Sequence, residues 1–217
     1  MREAFDKSGR IWFRNALSNR NLDTLDSACT LELKAGARMN SNSLGGVVKD
    51  IASIISPLTP SLQRPKAVRT VAFNKTSGSN WGVPWHQDRV IAVCEKHEIP
   101  EFANWSKKGN IWHCEPPLAL LAPILFVRVH LDRCDFTSGA MQIAVGSHIE
   151  GHVEARLAKD IALKYPIETC EAERGDILVL KMLTLHRSSP AQITSSRRTL
   201  RIDFTTESLP SPLEWGG

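Results

Sequence analysis

The chain has 217 residues, 42% of them hydrophobic, enough to bury a full core in one domain spanning residues 1–217. Its 27 basic and 23 acidic residues leave a formal charge of +4, interspersed along the chain, which excludes a nucleic-acid footprint built on charge and leaves a slight preference for anionic small substrates. No apolar run approaches the ~20 residues of a membrane span, the opening residues lack a signal peptide's apolar stretch, and Cys29, Cys94, Cys114, Cys134 and Cys170 are scattered without a CxxC pair. A cytoplasmic protein with reduced cysteines and no membrane partner is expected.

Residues 1–62 read as a helical part. In LSNRNLDTLDSACTLE the apolar Leu17, Leu22, Leu25 and Ala28 recur at helical spacing, with Ser18 or Asn21 available as a cap. SLGGVVKDIASIISPL predicts a second helix, whose apolar face of Val47, Ile51, Ile54 and Ile55 ends at Pro57.

From residue 66 to 206 the texture turns to short β-branched segments. KAVRTVAF, DRVIAVCE, ILFVRVHLDRC, AMQIAVGS, DILVLKMLTLHRS and RRTLRIDFTT each predict a strand, separated by turn chemistry in FNKTSGSNWG, DFTSG and ERGD. Strands without long intervening helices imply a mainly β fold, an antiparallel sandwich or barrel with flanking α-helices. Residues 95–123 interrupt the pattern as a long insertion, expected to be a lid or a substrate wall. EGHVEARLAKDIALKYP predicts a short helix.

VPWHQDRV carries the first chemical signal. On a strand His86 and Asp88 would share a face while Gln87 points to the other, presenting one nitrogen and one oxygen ligand together. The candidate third ligand is His186, a polar residue closing an apolar strand in VLKMLTLHRSS. Two histidines and a carboxylate match the facial triad of non-haem Fe(II), which leaves coordination positions for a cosubstrate and O2. Eleven residues after His186, Arg197 opens the next strand, and a fixed guanidinium there suits bidentate capture of a carboxylate; read alone, Arg197 and Arg198 are equally a solvated turn pair.

These segments together resemble the phytanoyl-CoA dioxygenase-like Fe(II)/2-oxoglutarate oxygenases. The resemblance runs through WHQD at 85–88, HLDRCDFTSGAMQIAVGSHIEGH at 130–152, ERGDILVLKMLTLHRSS at 173–189 and RRTLRIDF at 197–204, and GRIWFRNALSNRNLDTL looks like the family's N-terminal helical lead-in. It implies a double-stranded β-helix (jelly roll, cupin-like) in which His86, Asp88 and His186 bind Fe(II) and Arg197, with Ser188, holds the distal carboxylate of 2-oxoglutarate. Gly139 and Gly146-Ser147-His148 match the family's turn and GSH signature, which makes His148 structural.

One position departs from the pattern: where the family commonly has an aromatic residue, LFVRVHLD has Arg128, which adds a cation near the cosubstrate only if it faces inward. Asp88 retains the carboxylate that related halogenases lack, which favours hydroxylation. The expected reaction is oxidation of a small-molecule metabolite or acid with release of succinate and CO2, its substrate set by Asn74, Lys75, Asn80 and Trp81 and by Trp105, Trp112 and His113 of the insertion. The alternatives are a cupin-like metalloenzyme that is not an oxygenase and an inactive ligand-binding jelly roll.

Overall fold

A computed structural model describes residues 1–30, 36–60, 63–76, 78–193 and 197–216. The strands among these form three antiparallel sheets. The largest has six strands in the order β1 (Arg10–Phe13), β11 (Ile177–Lys181), β8 (Leu125–His130), β13 (Arg197–Thr205), β3 (Lys66–Lys75) and β2 (Ala37–Arg38). Facing it is a four-stranded sheet, β10 (Ile167–Thr169), β9 (Met141–Ala144), β12 (His186–Ser188) and β4 (Val83–His86). The two sheets make the double-stranded β-helix, with Phe126, Leu178 and Leu180 of one packed against Met141 and Ile143 of the other.

The outer face of the six-stranded sheet is covered by helices. α2 (Asn19–Ala28) starts where the Ser18 hydroxyl accepts the Asn21 N–H at 3.3 Å, and it buries Leu22 and Leu25. α3 (Val47–Ile55) buries Val47, Ile51, Ala52 and Ile55, then tightens into a 3-10 turn at Ser56–Leu58, where Pro57 has no N–H to continue the helix. These side chains meet Leu125, Val127, Val129, Leu200 and Ile202 in one core, each large aliphatic contributing about 1.5–3 kcal/mol by leaving water. Two short helices follow later in the chain, α4 (Leu118–Leu121) and α5 (Ala158–Ala162).

Four expectations are corrected. The stretch before residue 62 is not purely helical: α1 (Arg2–Ser8) is followed by β1, which pairs Ile11 with Val179 and closes one edge of the large sheet. The expected first helix reached Glu32, but α2 ends at Ala28, and residues 31–32 lie outside those described. The single strand expected over 176–188 is two strands in different sheets. Between them the Thr184 N–H turns back to the Lys181 carbonyl at 3.0 Å, and because Met182, Leu183 and Leu185 are all buried on both sides of this corner, hydropathy has no break to mark it.

The insertion is not a lid. β6 (Ala103–Lys108) and β7 (Ile111–Glu115) form a hairpin that joins β5 (Ile91–Val93) in a three-stranded sheet, and Phe102, Trp105 and Trp112 pack on the core between the sheets. No helix among the described residues is long and apolar enough to cross a membrane.

Candidate active site

The open end of the β-helix holds a cavity of about 210 Å³ lined from both sheets. Its metal-ligating corner is built from β4 and β12. His186 and His86 are direct cross-strand partners, with ring centroids 4.2 Å apart. Each ring places Nδ1 on the carbonyl two residues earlier, His86 on Pro84 at 2.8 Å and His186 on Thr184 at 2.9 Å. With the proton on Nδ1, both Nε2 lone pairs are left for a ligand. One ligand atom from each of His86, Asp88 and His186 lies within 4.8 Å of the others, and His186 Nε2 stands 3.3 Å from Asp88 Oδ2.

Asp88 reaches this corner by a different route from the one strand alternation suggests. β4 ends at His86, and Gln87 and Asp88 lie in the following loop. Gln87 ties that loop down: its amide nitrogen donates to the Gly151 and Leu183 carbonyls, both at 2.8 Å, and its oxygen accepts the Val153 N–H at 2.9 Å. The carboxylate is then aimed by Arg201, whose Nη1 donates to Asp88 Oδ2. Arg201 is held in turn by Asp203 through Nε–Oδ1 at 2.7 Å and Nη2–Oδ2 at 3.1 Å, and Arg69 Nε closes the network on Asp203 at 2.6 Å.

Burial works against both acids. At Asp88 the adjoining His186 ring and the Arg69 guanidinium outweigh it and hold the carboxyl below its usual range. At Asp203 burial wins and pushes the pKa up to about 7. Burial and the neighbouring His186 lower the pKa of His86, keeping that ring neutral.

The other end of the cavity is cationic. Arg197 is 2% exposed; its Nη1 donates to the Gly139 carbonyl at 2.8 Å, and its Nε has no partner among the described residues. It is therefore not a turn residue. Arg198, one step along β13 and on the opposite face, is the structural one, bound to Asp132 Oδ1 at 2.7 Å and to Asp26 of α2 at 2.9 Å. Arg128 does face inward. Val127 and Val129 belong to the helix-side core, while Arg128 donates to Thr199 Oγ1 at 3.0 Å and leaves its buried Nε unpaired. Ser188 and Lys75 line the same cavity, with Trp81 and Val83 beside them.

Sequence reasoning missed Arg201 and its partners, although a signal was present. In RRTLRIDF the polar Arg197, Thr199, Arg201 and Asp203 alternate with Leu200 and Ile202, so the polar set occupies one face of β13. Of the proposed substrate determinants, Lys75 and Trp81 reach the cavity; Trp105, Trp112 and His113 do not line it. His113 instead contacts Arg38, and burial together with that cation lowers its pKa to about 4. His148 is structural as expected, its Nε2 on the Asp6 carbonyl at 2.9 Å.

A metal-ligand corner and a buried cationic pit at opposite ends of one jelly-roll cavity define a non-haem Fe(II)/2-oxoglutarate-dependent oxygenase. The donor set suits that pair: two imidazole nitrogens and a carboxylate for the metal, and buried guanidinium nitrogens without partners among the described residues for a carboxylate. The chain belongs to the phytanoyl-CoA dioxygenase (PhyH) family, whose model matches residues 46–199. No curated protein sequence matches it.

Solved structures share the fold. The non-heme alpha-ketoglutarate-dependent epimerase SnoN from nogalamycin biosynthesis is 12% identical with a TM-score of 0.64, over 93% of this chain and 80% of that one. The nickel complex of the non-heme monooxygenase ThoJ is 18% identical with a TM-score of 0.63, over 100% and 79%. HygX from Streptomyces hygroscopicus, with nickel and 2-oxoglutarate bound, is 12% identical with a TM-score of 0.61, over 94% and 85%.

Proposed function

We propose that this oxygenase hydroxylates a small-molecule metabolite or acid in the cavity between the two sheets, with O2 as co-reactant and succinate and CO2 as co-products. His86, Asp88 and His186 are the Fe(II) ligands. Arg197 holds the distal carboxylate of 2-oxoglutarate, Ser188 hydrogen-bonds it, and Arg128 supplies a further cation beside it. The observation that carries this reading is the pairing, in one cavity, of three convergent metal-ligating atoms with a buried arginine that has no carboxylate partner among the described residues.

Bound iron and 2-oxoglutarate supply the oxidising chemistry. The chain's own residues do the rest. The Pro84 and Thr184 carbonyls hold the histidine tautomers, Arg201 aims Asp88, and Phe126, tilted against His186 with ring centroids 5.6 Å apart, gives the metal corner an apolar side. Trp81, Val83, Phe73 and Met141 offer an apolar wall for the substrate's carbon skeleton. We also propose a cytoplasmic enzyme without nucleic-acid or membrane partners, in keeping with five free cysteines and a modest net charge.

The test is anaerobic titration with Fe(II) and 2-oxoglutarate, following the weak visible charge-transfer band of the chelated 2-oxo acid. The band is expected in the wild type and in Arg197→Met only at 2-oxoglutarate concentrations raised by about 30-fold or more. Metal binding without the band would favour the cupin-like, non-oxygenase alternative.

A further inference from the structure

We propose that Lys75 is a second anchor for the cosubstrate's distal carboxylate, so that 2-oxoglutarate is gripped by a lysine and an arginine from adjacent strands. The proposal rests on the oxygenase reading and extends it to a residue outside the motifs that carry the resemblance.

Lys75 and Arg197 are direct cross-strand partners at the ends of β3 and β13, both facing the cavity. Their exposures are 1% and 2%. Like charges set opposite each other on neighbouring strands repel, and burying them adds a desolvation cost. A third cation, Arg128, stands close enough that it and Arg197 help burial lower the Lys75 pKa to about 8.

The cationic side chains around them have been neutralised. Arg69 and Arg201 share Asp203, and Arg198 has Asp26 and Asp132. Among the described residues no carboxylate pairs with Lys75, Arg128 or Arg197. Lys75 Nζ donates to one acceptor, the Ser189 carbonyl at 2.6 Å, although an ammonium has three protons to give. Three buried cations grouped in this way repel one another, and an anion set among them relieves that repulsion.

The local backbone brings the two side chains together. Gly139 has φ +74°, and a Cβ there would sit 3.0 Å from Lys75 Nζ and 2.7 Å from the Ser189 carbonyl oxygen. The same glycine's carbonyl takes the Arg197 Nη1 bond. Lys75 and Arg197 thus converge on a bare stretch of backbone, with the Trp81 ring 5.4 Å from Nζ on the outer side. A carboxylate has about four lone-pair sites, enough for a forked arginine and one ammonium. A 2-oxo acid lacking the distal carboxylate would leave the whole cluster without a counter-charge.

Calorimetric titration of the Mn(II)-loaded protein with 2-oxoglutarate and with 2-oxobutyrate tests this in wild type, Lys75→Met and Lys75→Arg. Lys75→Met is expected to weaken 2-oxoglutarate by about 30-fold or more and 2-oxobutyrate by less than about twofold, while Lys75→Arg retains most of the affinity. Unliganded Lys75→Met should melt at or above the wild-type temperature, because a repelling charge has gone. A lysine kept for structure would lower it.

Unchanged 2-oxoglutarate affinity in Lys75→Met, or equal weakening of both ligands in a folded variant, overturns the proposal. Lys75→Gln takes its place if the methionine variant fails to fold. Wild-type protein that binds Mn(II) but not 2-oxoglutarate overturns the oxygenase reading itself, a result distinct from failure at Lys75 alone.

Discussion

The two faces of the six-stranded sheet are built from the same strands and carry opposite chemistry. Toward the helices β8 and β13 present Val127, Val129, Leu200 and Ile202, packed against α2 and α3. Toward the cavity the alternate positions are Arg128, Arg197, Thr199, Arg201 and Asp203. The apolar face is satisfied within the chain. At one end of the polar face Asp88 and Asp203 neutralise Arg69 and Arg201; at the other end Arg128, Arg197 and Lys75 have no carboxylate partner among the described residues. A sheet can hold stability and chemistry together because side-chain direction alternates every residue, so each face is selected separately.

Substitutions on the two faces should therefore fail in different ways. The largest effect is expected at the ligands: Asp88→Ala or His186→Ala should bring 2-oxoglutarate-dependent succinate release below detection while the melting transition remains. Loss of the fold instead would mean that these side chains belong to the core. Next comes the apolar face, where Ile51→Ala or Ile202→Ala should cost about 2–5 kcal/mol in denaturant unfolding and leave 2-oxoglutarate affinity unchanged in the folded fraction. A drop in cosubstrate affinity without a drop in stability would erase the distinction between the faces.

Arg201→Lys is expected to weaken metal binding by about 10–100-fold, read by titration with Mn(II), because the flexible ammonium cannot span Asp88 and Asp203 as the guanidinium does. pH gives the finest separation. Protonation of His86 competes with the metal, and its pKa is lowered, so the part of the metal affinity that His86 contributes should be lost below the ordinary histidine range.

At the cationic end the sign reverses. Lys75 titrates near pH 8 among Arg197, Arg128, Cys134 and the Trp81 ring, so 2-oxoglutarate affinity should weaken as pH rises through that value and the ammonium loses its charge. The weakening should be absent in Lys75→Met. If it persists there, another group is responsible.

Much of this was legible in the residues. Apolar periodicity marked α2 and α3, β-branched runs marked β3, β8, β9 and β13, and a histidine ending an apolar run marked His186, because burial on one face imposes a period that survives in sequence. Other features left no such trace. Continuous apolarity from Ile177 to Leu185 hid the corner between β11 and β12, since both arms and the turn are buried. The insertion at 95–123 reads as a lid or a substrate wall because its mixed composition has no period, yet its hairpin pairs with β5 in a third sheet.

Asp88 stands at the boundary between the two kinds of information. Its chemistry and its spacing from His86 are in the sequence, but its direction is not: the strand stops at His86, and Gln87, Arg201 and Asp203 aim the carboxylate from the loop. Which side chains could ligate a metal or grip an anion depends on residue type and short spacing, and is written in the residues. Which cations keep a partner is settled by folding, because Lys75, Arg128 and Arg197 lie on three strands far apart in the chain, and their charges meet only when β3, β8 and β13 pair.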